Sequence, residues 1–206
     1  MTDVRTRRPI RVPTQTRAKE TVERILAAAD EHLTSDGISG FTTNAIAARA
    51  GVNIATLYSY FPDKAAILQE LLLRADNERL SAVETVMTGL AEADWRQSLS
   101  DAIDAMVRFR TANPGASALR RAALGSADLR ALDKEGNRRV AATMARSMRA
   151  RNGALTAREA DRICEVAVET SIAVLDDACD GGRVDRRKVE ELKTLLAAYL
   201  APHLDD

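Results

Sequence analysis

Between Thr42 and Lys64 the chain gathers hydroxyls, two carboxamides, two phenols and a lysine around an Ala-Gly-Val turn. The stretch reads Thr42-Thr43-Asn44-Ala45-Ile46-Ala47-Ala48-Arg49-Ala50-Gly51-Val52-Asn53-Ile54-Ala55-Thr56-Leu57-Tyr58-Ser59-Tyr60-Phe61-Pro62-Asp63-Lys64. Groups of this kind exchange hydrogen bonds with a polar surface; they are not a bond-making set. Bond-making chemistry finds no better home elsewhere. The two histidines, His32 and His203, lie at opposite ends of the chain. No His/Cys/Asp/Glu cluster has metal-ligand spacing, and no Ser or Cys has a neighbouring base. Gly37-Ile38-Ser39-Gly40 lacks the glycine count and the preceding strand of a phosphate loop. The sequence therefore implies no catalytic residue, no metal and no cofactor.

The stretch needs elements to hold it. The spacing predicts two short helices, over 43–50 and 53–60, crossing where Ala47 is small enough to allow contact. Gly51 supplies the left-handed backbone of the turn, and Asn53 suits the N-cap of the second helix. Ile46, Ala50, Val52 and Leu57 point inward. Ile54, Ala55, Thr56, Tyr58 and Tyr60 form the outer face of the second helix. In a helix-turn-helix that helix enters the major groove of DNA. Helix–glycine–helix turns also occur in helical proteins that bind no DNA, and tyrosines at such positions are commonly half-buried packing.

Around this unit the chain reads as helix throughout. Hydrophobic residues make up 46% and aromatics 3%, with five prolines, and no alternating apolar/polar strand pattern appears. A first helix over 17–35 carries Val22, Ile25, Leu26, Ala29 and Leu33 on one stripe. Asp36-Gly37 breaks it. Pro62-Asp63 stops the third helix, and Asp63 caps a fourth over 64–88. Further helices are expected over 95–111, 116–124, 128–150, 157–179 and 185–201. Asn113-Pro114-Gly115 reads as a turn, Thr156 with Glu159 as a capping box, and Pro202 as the end of the last helix. Charged residues at 29% and zero net charge exclude wholesale disorder and give no bulk basicity. The basic charge is local: residues 1–19 hold six basic side chains against Asp3. That arm is read either as a nucleic-acid contact or as a solvated tail. Cys164 and Cys179 read as small buried hydrophobes in a reducing compartment. No apolar run is long enough to span a bilayer and no signal peptide is present, so a cytoplasmic protein without membrane contact is expected.

From Thr43 through Lys64 the chain resembles the N-terminal signature of the TetR (tetracycline-repressor-like) family of regulators. The pattern is Thr, three residues, Ala, three residues, Ala-Gly-Val, then Thr-Leu-Tyr-x-Tyr-Phe-x-x-Lys. The resemblance implies an all-α protein with three parts: a basic arm over 1–16, a three-helix DNA-binding domain over 17–63, and a helical effector-binding and dimerisation domain over 64–206. It implies that Thr43, Tyr58 and Lys64 hold phosphates and that Asn44, Ile54, Ala55, Thr56 and Tyr60 face bases. Asn53 stands where Ser is frequent and Ala55 where Gly is frequent. Ile54 and Ala55 offer thymine methyl contacts but no bidentate readout, so a large backbone share is expected. In this setting Arg5, Arg7, Arg8 and Arg11 of the arm either follow the DNA backbone or form a tail.

The resemblance further implies that the partners are double-stranded operator DNA, a small-molecule effector, and a second copy of the chain. The copy is expected to dock through helices 157–179 and 185–201, with Ala167, Ser171 and Ala178 allowing close approach, which would set two recognition helices about 34–36 Å apart. An apolar set at helical spacing, Trp95, Met106, Phe109, Met144 and Met148, reads as core or as the effector pocket. Arg110, Arg120 and Arg121 could meet an acidic effector, though arginines on helices are usually solvated. The function implied is a repressor released from a palindromic operator by its effector. The alternative is an architectural DNA-binding protein without a switch.

Overall fold

The computed structural model describes residues 14–87, 94–123, 125–180 and 183–205; the arm over 1–13 lies outside them. The described residues form nine helices and no strand: α1 (Thr14–Asp36), α2 (Thr43–Ala50), α3 (Ile54–Tyr60), α4 (Lys64–Met87), α5 (Trp95–Ala112), α6 (Pro114–Ala123), α7 (Ala127–Arg151), α8 (Ala157–Ala178) and α9 (Arg186–Leu204). None of them is long and apolar enough to cross a membrane.

Local chemistry sets most of these ends. Gly37 takes φ +65 and stops α1. Asp63 Oδ1 accepts from Ala66 N at 2.9 Å and starts α4. Thr156 and Glu159 form a reciprocal capping box at α8. Two prolines behave differently from the sequence expectation. Pro114 opens α6 instead of extending a turn, since the first helical position has no use for the missing N–H and the ring presets φ. Pro202 lies inside α9, which runs on to Leu204. Its last turn is held from outside. Arg151 Nε donates to Leu204 O at 3.0 Å and Asn152 Nδ2 to His203 O at 2.9 Å. The Asp205 carboxylate accepts from Trp95 Nε1 at 3.0 Å and from Arg96 at 2.8 and 2.6 Å.

Apolar packing falls into two cores. One joins α1, α2 and α3 to Ile67, Leu68 and Leu72 of α4, to Leu119 and Ala123 of α6, and to Leu129 of α7. The other fills the body between α5, α7, α8 and α9 around Trp95, Met106, Met144, Met148 and Leu175. Apolar packing thus crosses residue 63, the boundary expected between the two domains, and α6 belongs to the core of the head. Ala167, Ser171 and Ala178 are buried inside the chain. Their small size serves the packing of α8 within its own subunit, above all on α7, rather than an approach between subunits.

Between the cores runs a buried ionic network. Arg79, 2% exposed, donates to Asp76 Oδ1 at 2.9 Å and to Asn137 Oδ1 at 2.8 Å. Arg120 pairs with Asp133 at 3.2 Å and approaches Asp76 at 3.8 Å. Arg110 donates through Nε and Nη2 to Asp176 Oδ1 at 3.1 and 3.0 Å. Burial raises the Asp76 carboxyl above its ordinary value against the opposing pull of Arg79 and Arg120, and it brings Arg79 down to about 10. A Cβ built on Gly136 would collide with the Asp76 carboxylate, so only glycine lets α7 come this close to α4. Arg110 and Arg120 are therefore not solvated; each has found a carboxylate on another helix.

Candidate nucleic-acid interface

The α2–α3 pair is fixed from below by apolar contacts and from its ends by hydrogen bonds. Ile46 and Leu57 are sealed from solvent. Thr42 Oγ1 accepts from Ala45 N at 3.2 Å and caps α2. Asn53 Oδ1 accepts from Ala55 N at 2.8 Å and caps α3. Each cap satisfies an N–H that the first turn leaves without a helical partner. Gly51 closes the turn at φ 62, ψ 36, a left-handed backbone costly for any residue with a Cβ.

Arg24 was not singled out by the sequence, yet it clamps this turn. From α1 its Nη2 donates to Ala50 O at 2.7 Å and Gly51 O at 2.9 Å, placing a cation at the C-terminal end of α2. His32 braces the preceding loop in the same way. Its Nε2 lies 3.1 Å from Ser39 O, and its ring meets Phe41 edge to face at 5.6 Å. Neither contact has a local signal, because the partners are 26, 27 and 7 residues away and become neighbours only when the head folds.

The outer surface then presents most of the expected side chains together. Asn44, Asn53, Ala55, Thr56, Tyr58, Tyr60 and Lys64 are exposed, while Thr43 and Ile54 are half-buried. Thr43 Oγ1 and Tyr58 OH lie 3.0 Å apart, joining the start of α2 to the middle of α3. Ile54 packs partly on the head's core, leaving only part of its surface free. The Asn53 carboxamide oxygen is engaged in the cap, and its Nδ2 makes no hydrogen bond among the described residues. Lys64, the first residue of α4, makes no ion pair among the described residues, so its ammonium is uncommitted. Arg49 is committed: it pairs with Asp36 at 3.1 Å and donates to Ser35 Oγ at 3.1 Å. Among the described residues the face offers hydroxyls, two carboxamides and one cation without an ion pair, and α2 and α3 carry no carboxylate. That set suits a polyanion whose phosphates accept hydrogen bonds.

Of the apolar set read as core or as the effector pocket, four members lie in a core and one beside a cleft. Trp95, Met106, Met144 and Met148 are packed with one another in the core of the body, and Cys164 Sγ lies 3.7 Å from Met148 Sδ. Burial pushes the Cys164 thiol up to about 12. Phe109 is half-buried and lines a cleft beside α1 and α4. Cys164 is buried, Cys179 caps α8 half-buried, and both are free thiols.

Known proteins share this arrangement. A family model described as "Bacterial regulatory proteins, tetR family" matches residues 25–71. A second, "Tetracyclin repressor-like, C-terminal domain", matches residues 94–200. A TetR-family transcriptional regulator from Streptomyces coelicolor superposes with a TM-score of 0.71 at 26% identity, covering 91% of this chain and 99% of that one. A putative TetR-family regulator from Mesorhizobium loti gives 0.68 at 22%, covering 92% and 98%. One from Syntrophomonas wolfei gives 0.70 at 18%, covering 90% and 95%. The last two speak for the fold alone. No curated protein is significantly similar in sequence.

Proposed function

The chain belongs to the tetracycline-repressor-like family of transcriptional regulators, and from that premise we propose that it is a repressor. It binds a palindromic operator as a homodimer in the cytoplasm and is released by a small-molecule effector. The observation that carries this reading is the face formed by Thr43, Asn44, Thr56, Tyr58, Tyr60 and Lys64. Hydrogen-bonding groups stand exposed there on a rigidly capped helix pair.

The roles divide by position. The Thr43–Tyr58 pair and Lys64 hold phosphates, with the Thr43 hydroxyl at the N-terminal end of α2, where anions are favoured. Asn44, Thr56 and Tyr60 face base edges, and Ala55 with the free part of Ile54 meets thymine methyls. The dimer forms through the outer faces of α8 and α9. Support comes from Val166 and Leu195, large apolar side chains left 46% and 51% exposed, with Ala173 and Ala198 exposed on the same helices. Release follows from α6. Leu119 and Ala123 sit in the core of the head, while Arg120 reaches Asp133 and Asp76 in the body. A ligand that shifts α6 in the body therefore moves the head, and effector and operator oppose each other reciprocally.

The test is selection of bound sequences from a random duplex library at near-physiological salt. A recovered palindrome, with half-sites one helical turn or a near multiple apart, is the expected result. Binding without any enriched motif would replace this reading with that of an architectural protein, to which the poor hydrogen-bonding capacity of Ile54 and Ala55 would then point.

A further inference from the structure

A cavity of about 310 Å3 opens where the head meets the body, between the end of α1, the α5–α6 junction and the α8–α9 connection. Its lining is cationic: Arg110, Arg121 and Arg183 face one carboxylate, Asp180. Arg110 is 94% withdrawn from solvent. It spends Nε and Nη2 on a single oxygen of Asp176, which leaves Nη1 without a hydrogen bond among the described residues. Burial holds its guanidinium below the ordinary value, with Asp176 the chief opposing influence. Among the described residues Arg121 pairs only with Asp180, at 3.2 Å and in solvent, a pair of small worth. Arg183 makes no ion pair among the described residues.

The remaining walls fit an organic body attached to an anion. Leu33, Ala118 and Val184 supply apolar surface, and the Thr34 and Ser117 hydroxyls make no hydrogen bond among the described residues. The volume lies at the lower end of small-molecule sites. Guanidinium groups present planar forks that match carboxylate and phosphate oxygens.

We propose that this cavity binds a small organic oxyanion, a phosphate monoester or a carboxylate, held by Arg110, Arg121 and Arg183 with its apolar part against Leu33 and Val184. The site is separate from the methionine-rich core of the body. Because α1 and α6 of the head form one side and Arg110 of α5 with Asp180, Arg183 and Val184 the other, the bound anion bridges the two halves of the chain. Asp180 competes with it for Arg121. Binding itself does not depend on the regulatory reading; only its effect on DNA does.

The experiment is isothermal titration of the full-length protein, without DNA, using phenyl phosphate, benzoate and phenol as probes. Phenyl phosphate or benzoate is expected to bind and phenol is not; the tighter of the two anions identifies the headgroup. Arg121→Gln and Arg183→Gln, both at exposed positions, should each weaken binding about tenfold with unchanged melting temperature. Asp180→Asn should strengthen it. Arg110→Gln is a supplementary variant, since loss of the Asp176 pair affects folding as well. Failure of both anions to bind at millimolar concentration, equal binding of phenol, or indifference to Arg121→Gln and Arg183→Gln overturns the assignment. None of these results bears on operator selection, so the two readings fail separately.

Discussion

In the DNA-binding head, Ile25, Ile46 and Leu57 are sealed from water while Thr56, Tyr58 and Tyr60 stand in it. One layer up, between α4, α6 and α7, Arg79 and Asp76 are buried as deeply as those apolar side chains. In the head, stability comes from apolar burial and caps, and the side chains proposed for recognition are others, on the outside. Either set can change with little effect on the other. In the junction the same side chains fill space and carry charge, and their pairing leaves Asp76 Oδ2 and Arg79 Nε without a hydrogen bond among the described residues, so none changes alone. The head is built to let its surface vary. The junction is built to have few arrangements, as suits the transmission proposed for α6.

That contrast is open to measurement, and the largest effect should lie in the junction. Arg79→Ala leaves the Asp76 carboxylate buried without its nearest cation and should cost about 3–5 kcal/mol in urea unfolding at neutral pH. The double variant Arg79→Ala/Asp76→Ala should lose less than the sum of the two single losses. A loss under ~1 kcal/mol for Arg79→Ala would erase the distinction between the regions. In the head, Gly51→Ala should cost ~1–2 kcal/mol from its left-handed backbone, aggravated by Arg24 Nη2 only 3.3 Å from the new Cβ. Asn53→Ala should cost ~1 kcal/mol through the lost cap.

Acid titration adds a smaller, signed effect. Hydrogen bonds from Arg96 and Trp95 hold the Asp205 carboxyl below its ordinary value. The stabilisation is therefore full above the ordinary carboxylate range and lost as pH falls through the depressed value. Wild type should exceed Asp205→Asn in stability at neutral pH, and the two should converge on acidification; a gap that widens in acid would refute the assignment. Smallest in stability is Lys64→Ala, expected within ~0.5 kcal/mol of wild type. Its effect should appear in DNA binding, as a salt slope lowered by about one unit. An unchanged slope would remove Lys64 from the phosphate contacts.

How much of this the sequence revealed follows the range of the forces involved. The bounds of α2, the caps at Asn53, Asp63 and Thr156, and the break at Gly37 were legible because each is decided within four residues. The exposed face of α3 was legible from helical spacing. Arg24 at the turn and His32 against Phe41 were not, because their partners arrive through folding. The sequence leaves Arg110 and Arg120 as effector contacts or as solvated arginines for the same reason: the carboxylates that draw them inward lie on α8 and on α4 and α7. A proline's local rule makes Pro202 a stop, and groups on other elements override it. Small residues on α8 signalled close packing correctly but could not say against which helix.

Leu119, Ala123 and Leu129 seal the core of the head although they come far later in the chain. For anyone recombining regulators of this kind, the transferable module is therefore not contiguous. A chimera that joins residues 17–63 to a foreign body would leave an apolar face of the head uncovered, inviting aggregation. Carrying α4 through Leu72 and residues 114–129 along with the head, or matching their side chains in the recipient, would restore the cover. The head is one unit of packing but not one unit of sequence, and the seam for exchange lies past Leu72 of α4 and around α6 rather than at the start of α4.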